Sequence, residues 1–266
     1  MDRRLFAVAA LSALVCSAAG AQTHEPYEGQ PGKDVVWVPT PPALIGKMLD
    51  LAAVTPADFV VDLGSGDGRL VIAAAQRGAR ALGVEYDADM VVLARRNAAA
   101  AGVTERAAFL EADMFEADFS KASVLALFLL PANLEKLVPK FLGLKPGTRI
   151  VTNGYRIPGW QEDGTTDVGG TCITWCTGYL YLVPAPVAGA WRLRNGVIGF
   201  TQEFGTLSGT LVSTDGRRAS VQGTVKGDQI RFSAGLDAYT GRVRGNEMSG
   251  EASGAFSGHW NAIRVR

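Results

Sequence analysis

Three carboxylates and three glycines at fixed spacing are the part of this chain equipped for chemistry. Asp62, Gly64, Gly66 and Gly68 fall in the run VDLGSGDGR at 61–69, directly after the apolar residues Phe59 and Val60. Glycine suits such a bend because it accepts positive φ and lets backbone lie close to a ligand. A strand, a glycine bend and a helix start together make a cradle for a nucleotide. A dinucleotide fingerprint would put its third glycine at position 69, which is an arginine here. Glu85 closes a second apolar run 21 residues after Gly64, where a carboxylate can accept hydrogen bonds from ribose hydroxyls. Asp113 closes a third run, with Met114 beside it. The plain alternative is a glycine turn with no ligand. Acidic residues on two further loops, in the right order, speak against it.

Elements with the right periods surround these loops. Leu44, Ile45, Met48, Leu49 and Ala52 recur on one side of a helix expected over 43–53. Strands are expected at 58–63, 80–85, 107–111, 124–130 and 148–153, with helices at 69–77, 88–101 and 132–142. Asp87 is the expected N-cap of the third helix, and Gly102 its stop. The run 124–130 is wholly apolar, as a central parallel strand buried on both faces should be. Strands alternating with helices imply an α/β fold, a Rossmann-like doubly wound parallel sheet. Right-handed crossovers then bring every loop named above to its carboxyl edge. The proline-rich residues 184–189 mark a boundary. Beyond it GTVKGDQI at 223–230 is echoed by GRVRGNEM at 241–248, each with a Gly-Asp or Gly-Asn hairpin signal. Residues 190–266 are therefore expected to form a small antiparallel β-domain, a barrel or half a sandwich.

The start of the chain reads differently. A charged Asp2-Arg3-Arg4, an apolar stretch over 5–18 and Ala19-Gly20-Ala21 have the pattern of a secretory signal peptide, residues 1–21, with the mature chain beginning near Gln22. This implies export to a periplasm or the exterior. An uncleaved anchor would also leave the bulk of the chain outside, and no membrane span is expected in the mature chain. Residues 22–42 read as an extended arm, held out of helix by Pro39, Pro41 and Pro42. Lys+Arg and Asp+Glu both number 26, and losing Arg3, Arg4 and Asp2 leaves the charge near zero. That argues against nucleic acid or an anionic membrane as partner. Two histidines and no Cys/His cluster give no expected metal site. Cys172 and Cys176 would lie ~13 Å apart on one strand, so they can bridge only if a turn separates them; free structural thiols and a small redox loop both remain open.

The Asp62-x-Gly64-x-Gly66-x-Gly68 pattern resembles motif I of the class I S-adenosylmethionine-dependent methyltransferases. With WVPTPP at 37–42, GVEYDADMV at 83–91, EADMFEADFS at 111–120, LFLLP at 127–131 and LKPGTRIV at 144–151, residues 36–185 resemble one group of them. These are the lysine methyltransferases of the ATP synthase c-subunit and adenine nucleotide translocase, with their bacterial relatives. The methyltransferase domain is then 43–185. The likeness implies that Asp62, Gly64, Ser65, Gly66 and Gly68 shape the methionine end of a cofactor pocket. Glu85 and Tyr86 would hold the ribose, Asp113 and Met114 the adenine, and Thr40 would close over the cofactor. It also implies an antiparallel final strand, expected over 173–183.

For the methyl acceptor, a protein side chain such as lysine or a small nucleophile, the candidates are Trp37, Leu130, Pro131, Asn133 and Tyr155. The run 129–133 has two equal readings: carbonyls freed by Pro131 that accept from a lysine ammonium, or a strand end and the first turn of a helix. Trp37, Tyr155 and Trp160 fit equally the wall of an aromatic channel for an alkylammonium and half-buried packing. Relatives carry a Ser-His-Asp-Phe-like run where this chain has Thr152-Asn153-Gly154-Tyr155. That departure removes a titratable pair and puts lysine specificity in question. The competing reading is an exported non-catalytic module that binds a nucleoside-like ligand or a partner protein.

Overall fold

The protein is described from a computed structural model covering residues 25–33, 35–170 and 172–265; the leader expected at 1–21 lies outside the described residues. Eleven elements make the first unit: α1 (Pro42–Leu51), β1 (Phe59–Leu63), α2 (Arg69–Gln76), β2 (Arg80–Glu85), α3 (Ala88–Ala100), β3 (Ala107–Glu111), β4 (Val124–Leu127), α4 (Pro131–Leu142), β5 (Arg149–Asn153), β6 (Gly164–Asp167) and β7 (Thr177–Leu182). The sheet order is β3-β2-β1-β4-β5-β7-β6. Strands β1 to β5 pair in parallel, and β7 runs antiparallel to both β5 and β6.

Period-two alternation sorts the apolar side chains onto two covered faces. Val60, Val124, Ala126 and Val151 face a core built with α1, α2 and α3. Val61, Leu63, Leu125, Leu127 and Ile150 face the core that holds Leu134, Leu137 and Phe141 of α4. Burial of each such valine or leucine contributes about 1.5–3 kcal/mol. At the floor of the sheet, Asp58 accepts from Thr55 N (2.8 Å) and Ser123 Oγ (2.8 Å) and pairs with the Arg149 guanidinium.

The structure corrects two expectations of extent. β4 ends at Leu127, because Phe128 to Leu130 turn into α4, whose first residue is Pro131. The long strand expected over 173–183 begins only at Thr177. Before it, Cys172 and Cys176 are joined in a disulfide, and Trp175 holds a left-handed φ of 59°. The turn that the bridge needs has taken the first part of the strand. β6, in the loop expected over 154–171, carries too little apolar pattern to be read from sequence.

The second unit comprises β8 (Gly189–Leu193), β9 (Gly196–Glu203), β10 (Thr206–Ser213), β11 (Arg218–Lys226), β12 (Gln229–Ala234), β13 (Asp237–Arg244), β14 (Glu247–Ser253) and β15 (Gly258–Arg264). Pairing of β8 with both β9 and β15 closes them into a barrel. Closure leaves no edge strand. The two repeats are two-residue hairpins, with Lys226 opposite Gln229 and Arg244 opposite Glu247. Gly227 (φ 56°) and Gly245 (φ 62°) supply the positive φ that such a turn requires. Trp191, Phe200, Phe232, Tyr239 and Trp260 fill the interior. No helix among the described residues is long and apolar enough to cross a membrane.

Candidate active site

The loops at the carboxyl edge of the parallel strands surround one cavity. Its floor is the glycine bend, where Gly64, Gly66 and Gly68 hold φ of 74°, 53° and 82°. The N–H groups of Gly64 and Ser65 both donate to Val84 O, which ties the bend to β2. A Cβ on Gly68 would stand 2.7 Å from the Phe109 ring, and one on Gly66 would stand 2.5 Å from Trp37 Nε1. The missing side chains at 66 and 68 therefore make room for protein neighbours.

Glu85 organises the next corner. Its Oε2 accepts from Gly66 N at 2.8 Å, and its Oε1 from Tyr86 N at 2.8 Å and Asp87 N at 3.0 Å. A carboxylate has about four lone-pair sites, so three backbone donors leave it one for a ribose. A two-hydroxyl grip must displace one of them. Asp87 caps α3 by accepting from Asp89 N and Met90 N. Asp113 accepts from Phe115 N at 2.8 Å and from Lys33 Nζ at 2.5 Å. The Lys33 hydrogen bond, then that N–H, hold its carboxyl below the usual range. Asp62 lies deep under the bend; burial, then the nearby charges of Glu85 and Asp67, push its carboxyl well above the usual range.

A segment that sequence reasoning reads as a plain extended arm forms the roof. Gly29 N donates to Trp37 O and Trp37 N to Gln30 O, which ties Trp37 back to residues 29 and 30. Gln30 Nε2 reaches Met90 Sδ, and Lys33 Nζ lies 4.5 Å above the Tyr86 ring centre. Pro31, Gly32, Lys33 and Trp37 all line the cavity.

Gly64, Glu85, Tyr86, Asp113 and Met114 line it from the expected cofactor end. Asp62, Ser65, Gly66 and Gly68 support that end from behind. Ser65 turns its hydroxyl back toward Gly83, where a Cβ would stand 2.5 Å from Oγ. Thr40 is not at the cavity wall. It is buried, accepts from Asn153 Nδ2 at 3.3 Å, and offers its carbonyl to Arg69; it fastens the arm instead of closing over a ligand.

The acceptor end is walled by Phe128, Leu129, Leu130, Tyr155 and Trp175. Leu130 and Tyr155 are expected there from the sequence; Phe128 and Trp175 are not. The expectation for Pro131 and Asn133 is corrected. The Leu130 carbonyl accepts from Asn133 N and Leu134 N, so both lone pairs serve the first turn of α4. Asn133 is buried outside the cavity wall, and its Nδ2 makes no hydrogen bond to a described residue. Trp160 also lies away from the cavity, stacked on Phe204 at 5.0 Å between centroids, where it joins the sheet unit to the barrel. Trp37 faces the cavity from the roof.

An adenosyl sulfonium compound fits this donor set: a side-chain-free bend, a carboxylate at the second strand end, and a carboxylate beside Met114 at the third. The fold and the pocket define a class I S-adenosylmethionine-dependent methyltransferase. Residues 62–164 match the family model of the ANTKMT methyltransferase domain. A protein-lysine N-methyltransferase of Saccharolobus islandicus (strain REY15A) is 40% identical over 159 residues, 56% of this chain and 94% of that protein. The ATP synthase c-subunit lysine N-methyltransferase of Mus musculus is 38% identical over 111 residues, 41% of this chain and 45% of the mouse enzyme. The crystal structure of an RNA methyltransferase from Salinibacter ruber with S-adenosyl-L-homocysteine superposes with TM-score 0.53 at 43% identity, covering 56% of this chain and 96% of that one. The chain belongs to the methyltransferase family that includes the adenine nucleotide translocase and ATP synthase c-subunit lysine enzymes.

Proposed function

We propose that this enzyme methylates the ε-amine of a lysine in a protein met outside the cytosol. One observation carries the reading: the cofactor end, with Gly64, Glu85 and Asp113, and an apolar, aromatic end, with Phe128, Leu130 and Tyr155, share a single cavity. A methyl donor and a long, mostly apolar side chain can therefore meet inside it. The names of the Saccharolobus and mouse relatives favour lysine over other acceptors.

The cofactor supplies a methyl group on a positively charged sulfur, with the leaving group built in. The residues of this chain bind and position. Glu85 and Asp113 fix the adenosine, the glycine bend keeps the backbone out of the way, and Gln30, Pro31, Gly32, Lys33 and Trp37 roof the cavity. Alignment of the amine behind the methyl carbon, roughly 3 Å away, lowers the barrier chiefly by orientation. The carboxylates lining the cavity, Glu85, Asp87 and Asp113, lie at the cofactor end, so the acceptor ammonium gives its proton to water before attack.

Export belongs to the proposal. The apolar run over 5–18 and the Cys172–Cys176 bridge both suit an oxidising compartment outside the cytosol. How the cofactor reaches such an enzyme is then part of its biology. The test incubates purified residues 22–266 with deuteromethyl-labelled S-adenosylmethionine and envelope proteins of the source organism. Peptide mass spectrometry is expected to find the label on lysine. Label on RNA, or on protein residues other than lysine, would overturn the acceptor assignment.

A further inference from the structure

Three features of the segment 172–176 converge on one ring. Cys172 and Cys176 are bridged four positions apart, closing a short loop. Within it Trp175 holds φ at 59°, a conformation that a bulky residue keeps only when its surroundings impose it. Its indole lies over Gly154, where a Cβ would come within 2.6 Å of Cε3. Covalent closure, a forced backbone and a glycine-sized seat all set this side chain in one place. That place is the acceptor end of the cavity. Trp175 lies 4.9 Å from Tyr155 and 5.4 Å from Phe128 between ring centroids. All three rings are half-buried and line the cavity.

We propose that Trp175, held by the Cys172–Cys176 bridge, is a specificity-determining residue of the methyl-acceptor subsite and selects an alkylammonium side chain. The inference rests on the transferase reading of this cavity and names what its far end recognises. Aromatic faces attract a cation lying within about 6 Å of the ring centre. With the lining carboxylates at the opposite end, the rings are the groups that a cation meets there. Because the three rings touch one another they form a wall, and the cation lies against it while the alkyl stem runs over Leu129 and Leu130.

The test titrates two ligands into the full mature chain saturated with S-adenosylhomocysteine. One is N-acetyl-trimethyllysine amide; the other is its uncharged isostere, with carbon in place of the quaternary nitrogen. The cation is expected to bind about tenfold more tightly than the isostere. Trp175→Ala should abolish that preference and Trp175→Phe should keep most of it, each with S-adenosylhomocysteine affinity within about twofold of wild type. Reducing the bridge with a phosphine in the unmutated protein should reproduce the loss, with circular dichroism showing the fold retained.

Equal binding of the isostere would overturn the proposal. So would a preference that survives both Trp175→Ala and reduction. A Trp175→Ala protein that binds S-adenosylmethionine weakly but S-adenosylhomocysteine normally would assign the wall to the sulfonium, and would overturn it too. Lysine methylation without any cation preference would sink this wall and leave the lysine reading standing. Cation preference without lysine methylation would do the reverse.

Discussion

Glu85→Gln separates the backbone contacts that the structure shows for this carboxylate from the ribose contact proposed for it. In the wild type, Gly66 N, Tyr86 N and Asp87 N converge on its two oxygens at 2.8, 2.8 and 3.0 Å. A glutamine keeps one carbonyl oxygen, enough for Tyr86 N and Asp87 N, but turns an NH2 toward Gly66 N–H. That loses one charge-assisted bond and sets donor against donor, at a cost of about 1–3 kcal/mol in stability. The ribose loses its remaining acceptor as well. A hydrogen bond to a charged group is worth about 1.5–3 kcal/mol, so S-adenosylhomocysteine affinity should fall about 10- to 150-fold. Calorimetry measures the second effect and thermal unfolding the first. The far-ultraviolet spectrum should be unchanged, because β1 and α2 do not depend on this side chain. Affinity within about twofold of wild type would refute the idea that Glu85 grips the ribose. Lost stability with unchanged affinity would reduce Glu85 to a turn organiser.

Three further outcomes follow from other contacts. Asp58 is buried, and although burial alone would raise its pKa, Thr55, Ser123 and Arg149 outweigh that and hold it below the usual range. Its stabilisation is therefore present above the unfolded value of about 3.9 and is lost as pH falls through the lower folded value. Asp58→Asn should cost about 3 kcal/mol near neutrality, and chemical denaturation should show the gap to wild type closing below about pH 4. Trp160→Ala should destabilise the chain by about 3–5 kcal/mol through the contact with Phe204, with S-adenosylhomocysteine affinity unchanged in calorimetry. Lys33→Met frees Asp113 from an ion pair that is partly exposed on both sides. The gain should be no more than about 1 kcal/mol, up to fivefold tighter S-adenosylhomocysteine binding, read by the same titration.

What the sequence discloses about this site divides by range. The glycine bend, Glu85 and Asp113 are legible because each sits at the end of a local apolar run, and a parallel sheet brings such ends together by topology alone. The roof is not legible. Its contacts join Gln30 to Met90 and Lys33 to Asp113, across stretches over which no local pattern carries information. Position in a motif points Thr40 and Asn133 at a ligand, yet their surroundings turn them inward. Trp175 hides inside an apolar run that also fits a strand. The constraint that reveals it is two cysteines four residues apart, which need a turn to bridge; spacing alone does not decide between a bridge and free thiols. Closure of the barrel depends on β8 meeting β15, a pairing of the first and last strands of the unit that hairpin signals do not encode.

The most direct measurement is a crystal structure of residues 22–266 grown with S-adenosylhomocysteine. The ribose should lie against Glu85 and the adenine beside Asp113 and Met114, with Lys33 withdrawn from Asp113 and the thioether sulfur turned toward Tyr155 and Trp175. A ligand bound elsewhere, or density in this cavity with the adenosine away from both carboxylates, would contradict the account.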